Sequence, residues 1–244
     1  MNFQVRPIEA RSLKEVVIQT LEGWILSGDL KIGEKLPSER DLAQKMKISR
    51  PVLHEALVDL ASKGLVKIEA RRGIFINDYR INGSCALLSS MLNFHQDQLD
   101  PVFGKSLIDM RMLIEVETAK LAAIHADEAD IRDLQGILEA EKGFSTASVE
   151  DLVELDFNFH LQIALASCNR AYPLILNSFK AIYTHLTENF FTKNIHTPIL
   201  EEVFTFHHQL VNAIKDKDSI ASQTVMVAML KHGEKHLSGG SHDG

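Results

Sequence analysis

Two cysteines in 244 residues, Cys85 and Cys168, cannot build the disulfide framework of a small secreted domain. No apolar run approaches the roughly 20 residues that a membrane-spanning helix needs. The opening stretch, MNFQVRPIEARSLKE, lacks the apolar core of a secretory leader. These absences set the expectation of a protein working in a reducing cytoplasm, with no membrane among its partners. Catalytic signatures are missing too, since there is no H-E-x-x-H and no G-x-S-x-G. Gly28 and Gly33 have the spacing of a phosphate-binding loop, but Glu34 stands where its lysine is required and no strand leads into it. Internal repeats and low-complexity runs are also absent.

What is present is a globular composition with uneven charge. Apolar residues make up 45% and charged residues 24%, enough for a core and for solubility. The net charge of −7 argues against a polyanionic partner until it is divided along the chain. Residues 1–80 hold fourteen basic and eleven acidic residues, a balance of +3, and the remainder holds twelve and twenty-two, a balance of −10. A mildly basic head on an acidic body results.

Local signals order the head. Leu13, Val16, Val17, Leu21, Trp24 and Ile25 recur at helical spacing between Ser12 and Ser27. GDLKIGEKLP breaks that pattern. Ser38, with Asp41 three residues on, predicts a capped short helix over 39–46. Ser49, followed by Pro51 in the first turn, predicts a second helix that runs to Lys63 and stops at Gly64. LVKIEA and IFIN, joined by Arg71-Arg72-Gly73, predict a β-hairpin. After Asn77 the strand signal vanishes, and segments 84–95, 102–126, 128–142, 148–168, 171–193, 197–216 and 219–237 all read as helices.

Two short helices across a tight turn form a helix-turn-helix, whose second helix suits the major groove of double-stranded DNA. Ser49 at that helix start suits a phosphate, and Arg50 has the planar fork that matches guanine O6 and N7. Val52 can touch a thymine methyl, and Arg71, Arg72 and Gly73 at the hairpin tip can enter the minor groove or grip phosphates. The bland alternative for each arginine is a solvated surface charge. The run LPSERDLAQKMKISRPVLHEALVDLASKGLVKIEARRGIFI resembles the winged helix-turn-helix of the GntR family. The resemblance covers residues 12–77 and implies DNA contacts by Arg40, Ser49, Arg50, Arg72 and Gly73. His54 departs from it, because the family usually has arginine before E-A-L; a neutral ring has fewer donors and reads a different base or binds more weakly.

In the body, Asp156 and His160 are four residues apart and share one helix face. A carboxylate and an imidazole there can ligate zinc or a similar divalent metal, given further ligands from other helices, or can simply hydrogen-bond to each other. Of His207 and His208 only one can point inward, and His232 lies on the last helix. IDMRMLIEVETAKLAA, DFNFHLQIALASCN and HHQLVNAIKDKD resemble the all-helical FCD domain of the FadR subgroup over about residues 84–237. That resemblance implies a metal held by Asp156, His160 and His207, with the fourth position at either Met229 or His232. It also places Arg111 near an effector pocket, where a guanidinium would meet a small carboxylate; an internal salt bridge to Glu115 or Asp156 is the alternative.

The expected architecture is therefore two-domain and mainly α. An α+β winged helix-turn-helix spans 1–78, residues 79–83 link it to an all-α antiparallel bundle over 84–237, and 238–244 form a disordered tail. The expected function is a homodimeric transcription regulator, a repressor released by an organic-acid effector, and not an enzyme. A metal-dependent hydrolase using Asp156, His160 and His207 is the rival reading.

Overall fold

The computed structural model describes residues 12–94, 101–143 and 147–237. The expected tail at 238–244 lies outside the described residues. The chain divides into two compact units at Leu99/Asp100.

In the first unit, helix α1 (Leu13–Leu26) begins with a reciprocal cap. The Ser12 hydroxyl accepts from the Glu15 amide at 3.2 Å, and the Glu15 carboxylate accepts from the Ser12 amide at 2.8 Å. Helix α2 (Glu39–Met46) is capped by Ser38 and ends at Lys47, which takes a left-handed conformation with φ 56°. Helix α3 (Arg50–Ser62) buries Leu53, Ala56, Leu57 and Leu60 completely. Each such leucine contributes about 1.5–3 kcal/mol relative to exposure. Gly64 then reverses the chain with φ +79°, where an added Cβ would lie 1.9 Å from the Asn82 carbonyl oxygen. Strands β1 (Val66–Glu69) and β2 (Gly73–Ile76) pair antiparallel with Val66 opposite Ile76 and Glu69 opposite Gly73. The expected helix-turn-helix and hairpin are therefore both present.

The boundary differs from the expectation. Residues 79–82 form a short helix, α4 (Tyr79–Asn82), capped by Asp78, instead of an open linker. Helix α5 (Ala86–Phe94) belongs to the first unit and not to the helical body. Leu87 enters the first core, and the Ser90 hydroxyl donates to buried Glu22 at 2.8 Å. The Lys63 ammonium donates to Glu22 at 2.6 Å and to Ser90 at 2.9 Å. A buried carboxylate on α1 needs these partners, and they hold α5 against α1 and the end of α3.

The second unit is all helical: α6 (Pro101–His125), α7 (Glu128–Glu141), α8 (Val149–Ala166), α9 (Ala171–Ser178), α10 (Lys180–Asn194), α11 (Pro198–Lys215) and α12 (Ser219–Leu237). The single helix expected over 171–193 is two, because Phe179 leaves the helical region with φ −101° and ψ 1°. One core joins Ala119, Ala122 and Ala123 of α6 to Leu134, Phe159, Ile163, Leu210 and Met226. The small residues on α6 let neighbouring helices approach closely. A second cluster gathers Leu152, Phe190, Phe191, Leu200 and Val203. No helix among the described residues is long and apolar enough to cross a membrane.

Candidate DNA-reading face and buried metal and effector site

Burying Leu53, Ala56, Leu57 and Leu60 turns the opposite face of α3 outward, and that face carries Arg50 and His54 one turn apart. Both are tied to one carboxylate. Glu39 at the start of α2 accepts from Arg50 Nε at 3.4 Å through Oε2 and from His54 Nδ1 at 3.1 Å through Oε1. Ser49 is exposed and makes no side-chain cap bond, so its hydroxyl is not spent on the helix it starts. Arg40 is open to solvent, with 85% of its side chain exposed. Val52 is half-buried against the core, which makes it the poorest placed of the expected groove contacts.

The hairpin tip is built for a tight turn. Arg71 has φ 63° and Gly73 φ 116°. A Cβ on Gly73 would come within 2.7 Å of Lys35 Cε. Arg72 is exposed, bonds Glu69 at 2.8 Å and sits over the Phe75 ring at 6.0 Å.

In the helical unit, Asp156 and His160 of α8 and His207 of α11 each offer a ligand atom within 4.8 Å of the others, and all three are buried. An acid lies beside one ring nitrogen of each histidine. His207 Nδ1 lies 2.5 Å from Glu141 Oε1, and His160 Nδ1 lies 2.5 Å from Glu115 Oε2. His207 Nε2 faces Asp156 Oδ1 at 3.7 Å and has no hydrogen-bond partner. The Tyr183 hydroxyl donates to Asp156 Oδ2 at 2.6 Å, and Phe159 stacks on His207 at 3.9 Å. Carboxylates behind the outer ring nitrogens orient imidazoles as they do around bound metals. Among the described residues this is the one such group of histidines, cysteines and acids.

Arg111 makes the internal salt bridge and also lines a cavity. It donates to Glu115 at 2.6 and 3.3 Å, stacks on Tyr183 at 4.1 Å, and lines a cavity with Asp156, His160 and Met229. The cavity holds about 60 Å³. Burial would push the Glu115 carboxyl upward, but the charges of Arg111 and His160 outweigh it and hold it down to about 2. Burial opposes the charge on Arg111 as well, and Glu115 overcomes it and raises its pKa. Burial also drives the Tyr183 phenol well up, so it stays a donor.

His232 is a correction to the expected ligand set. Its Nε2 bonds Glu202 at 2.7 Å and its ring lies 4.6 Å from that of His236, so it is not brought to the cluster. Met229 is the residue of α12 that lines the cavity. Glu39, Glu141 and Tyr183 were not anticipated. Glu141 had a signal, because Leu134, Leu138 and Glu141 fall at helical spacing and put the acid on the buried stripe of α7.

A winged helix-turn-helix joined in one chain to a helical unit whose cavity is lined by Arg111, Asp156 and His160 defines a DNA-binding protein answering to a small molecule. Residues 13–76 match the gntR family of bacterial regulatory proteins, and residues 106–232 match the FCD domain. The chain belongs to that family and is a transcription regulator whose DNA binding is under effector control. It is 29% identical over 218 residues to the HTH-type transcriptional regulator LutR of Bacillus subtilis, covering 88% of this chain and 96% of that one. It is 33% identical over 174 residues to the Glc operon transcriptional activator of Escherichia coli, covering 70% and 66%. The solved structure of Lar, described as controlling the Listeria monocytogenes agr system, shares the fold at a TM-score of 0.62 and 19% identity, covering 94% and 98%. These relatives are regulators and not enzymes, and nothing supports the hydrolase alternative.

Proposed function

We propose that the regulator senses a small carboxylate through a divalent metal held by Asp156, His160 and His207, with Arg111 as the second anchor. The observation that carries this reading is the three-residue cluster with the unpartnered His207 Nε2 aimed into it. With both imidazoles neutral, as metal ligation requires, Glu115, Asp156 and Glu141 set three carboxylates against one guanidinium, leaving −2 for a divalent cation to balance. Bound there, the metal would supply a Lewis-acid anchor for an effector oxygen. The chain's own residues do the rest. Glu141 orients the His207 imidazole, Glu115 lies beside His160 and pairs with Arg111, Tyr183 steadies Asp156, and Arg111 offers its remaining donors to the effector. The cavity beside the cluster, about 60 Å³ and lined by Arg111, Asp156 and His160, gives a small organic acid a place to bind.

On the DNA side, Arg40, Ser49, Arg50 and His54 are the proposed contacts in the major groove and on its phosphates, and Arg71, Arg72 and Gly73 those of the wing. A two-fold homodimer reading an inverted repeat, in the cytoplasm, completes the reading. The domains of this reading are a DNA module to about residue 94 and an effector module from about residue 101. The test pairs elemental analysis of the purified protein with gel shifts on the DNA upstream of its own gene, across a panel of two- to four-carbon acids. One acid should release or tighten the complex, and Arg111→Ala should keep metal and DNA binding while losing that response. A panel without effect, or an Arg111→Ala protein that responds like the parent, would place the effector site elsewhere.

A further inference from the structure

The Glu39 carboxylate does more than anchor two side chains. At neutral pH it accepts hydrogen bonds and donates none. The 3.1 Å contact with His54 Nδ1 therefore requires the proton on Nδ1. In a neutral ring the other nitrogen, Nε2, is then a bare acceptor. The two ring nitrogens face away from each other, and 56% of the His54 side chain is exposed against 19% of Glu39. The acceptor is thus on the open side, one turn along α3 from Arg50.

We infer that Glu39 makes His54 a hydrogen-bond acceptor in the major groove, so that His54 selects a base offering an amino group: adenine through N6 or cytosine through N4. Guanine and thymine present only acceptors at the matching positions. Arg50 next to it keeps the opposite preference. Only its Nε is engaged by Glu39, at 3.4 Å, and its terminal nitrogens remain for guanine. One carboxylate thereby gives neighbouring residues of the recognition helix complementary demands, acceptor-seeking at Arg50 and donor-seeking at His54. Glu39 is a positioning residue, acting through the tautomer of His54. The inference rests on the proposed DNA-reading role of α3.

The experiment is selection of the full-length protein on a pool of random duplexes at about pH 8, where imidazole is neutral, for the parent, His54→Arg, Glu39→Ala and Arg50→Ala. In the parent, one position per half-site should favour adenine or cytosine over guanine by about tenfold or more. His54→Arg should switch that position to guanine. Glu39→Ala should flatten it, and ¹⁵N spectra of the His54 ring should show the proton moving from Nδ1 to Nε2. Guanine at that position in the parent would overturn the inference, as would an unchanged profile and tautomer in Glu39→Ala. If Arg50→Ala alone loses specific selection, the inference fails and the role of α3 stands. If no variant differs from the parent, the DNA-reading assignment itself fails.

Discussion

Zinc should stabilise the helical unit and leave the winged unit alone. A ligand that binds only the folded state adds about 2.7 kcal/mol when present at a hundred times its Kd. The helical unit spans Asp100–Gly244. At about 2.1 cal/mol/K per residue its unfolding entropy near the midpoint is about 0.3 kcal/mol/K, so the shift is about 9 °C. Scanning calorimetry with zinc and with EDTA reads it directly, and the transition of the first unit serves as the internal reference. His207→Ala should lose the shift. It should also melt about 10–16 °C lower without metal, because it strands Glu141, only 3% exposed, and an uncompensated buried charge costs about 3–5 kcal/mol. His207→Gln separates the two effects. Its amide can still donate to Glu141 but is a poor zinc ligand, so it should melt near the parent in EDTA and ignore zinc. A parent that binds no zinc by elemental analysis and melts alike in both buffers would refute the metal reading. Asp156, His160 and His207 would then be an internal polar cluster.

Gly64→Ala should lower the first transition by about 10–20 °C and spare the second. The left-handed φ costs about 1 kcal/mol, and a Cβ 1.9 Å from Asn82 O forces a backbone shift worth about 1–3 kcal/mol more. Glu22→Ala should cost about 2 kcal/mol in the same transition by leaving Lys63 and Ser90 without their shared acceptor, and should make α5 protease-sensitive; an unchanged digest would detach α5 from the winged unit. Amide hydrogen bonds from Asp130 and Ala129 hold the Asp127 carboxyl below its ordinary value of 3.8. A lowered folded pKa means that its contribution is full above the ordinary value and fades as pH falls through the lowered one, so melting temperature should hold above about pH 5 and drop below about pH 4. Asp127→Asn should make that acid limb shallower, with Asp151 and Glu115 supplying the rest, and an identical slope would refute the cap's role.

The DNA-binding fold was legible because its signals are local. Ser38, Gly64 and Gly73 each act on their own turn, and the spacing of Leu53, Ala56, Leu57 and Leu60 gives the buried face of α3 without knowledge of what covers it. The same periodicity showed which side of α8 carries Asp156 and His160. It could not show that α5 packs on α1, since that depends on a Glu22–Ser90 bond across 68 residues. Nor could it rank Met229 against His232, which differ by less than one turn of α12. Partner choice in the site was equally hidden. Glu141 lies 66 residues from His207, Tyr183 lies 27 from Asp156, and Glu39 lies 15 from His54. Sequence by itself determined most of the helices and the face each buries, though not the break at Phe179 or the turn of helix at Tyr79–Asn82, because caps, turns and the 3.6-residue period act within a few residues. Only the tertiary structure decided which charged groups meet, because a buried acid or imidazole takes the partner that helix packing brings within hydrogen-bond reach, however far along the chain that partner lies.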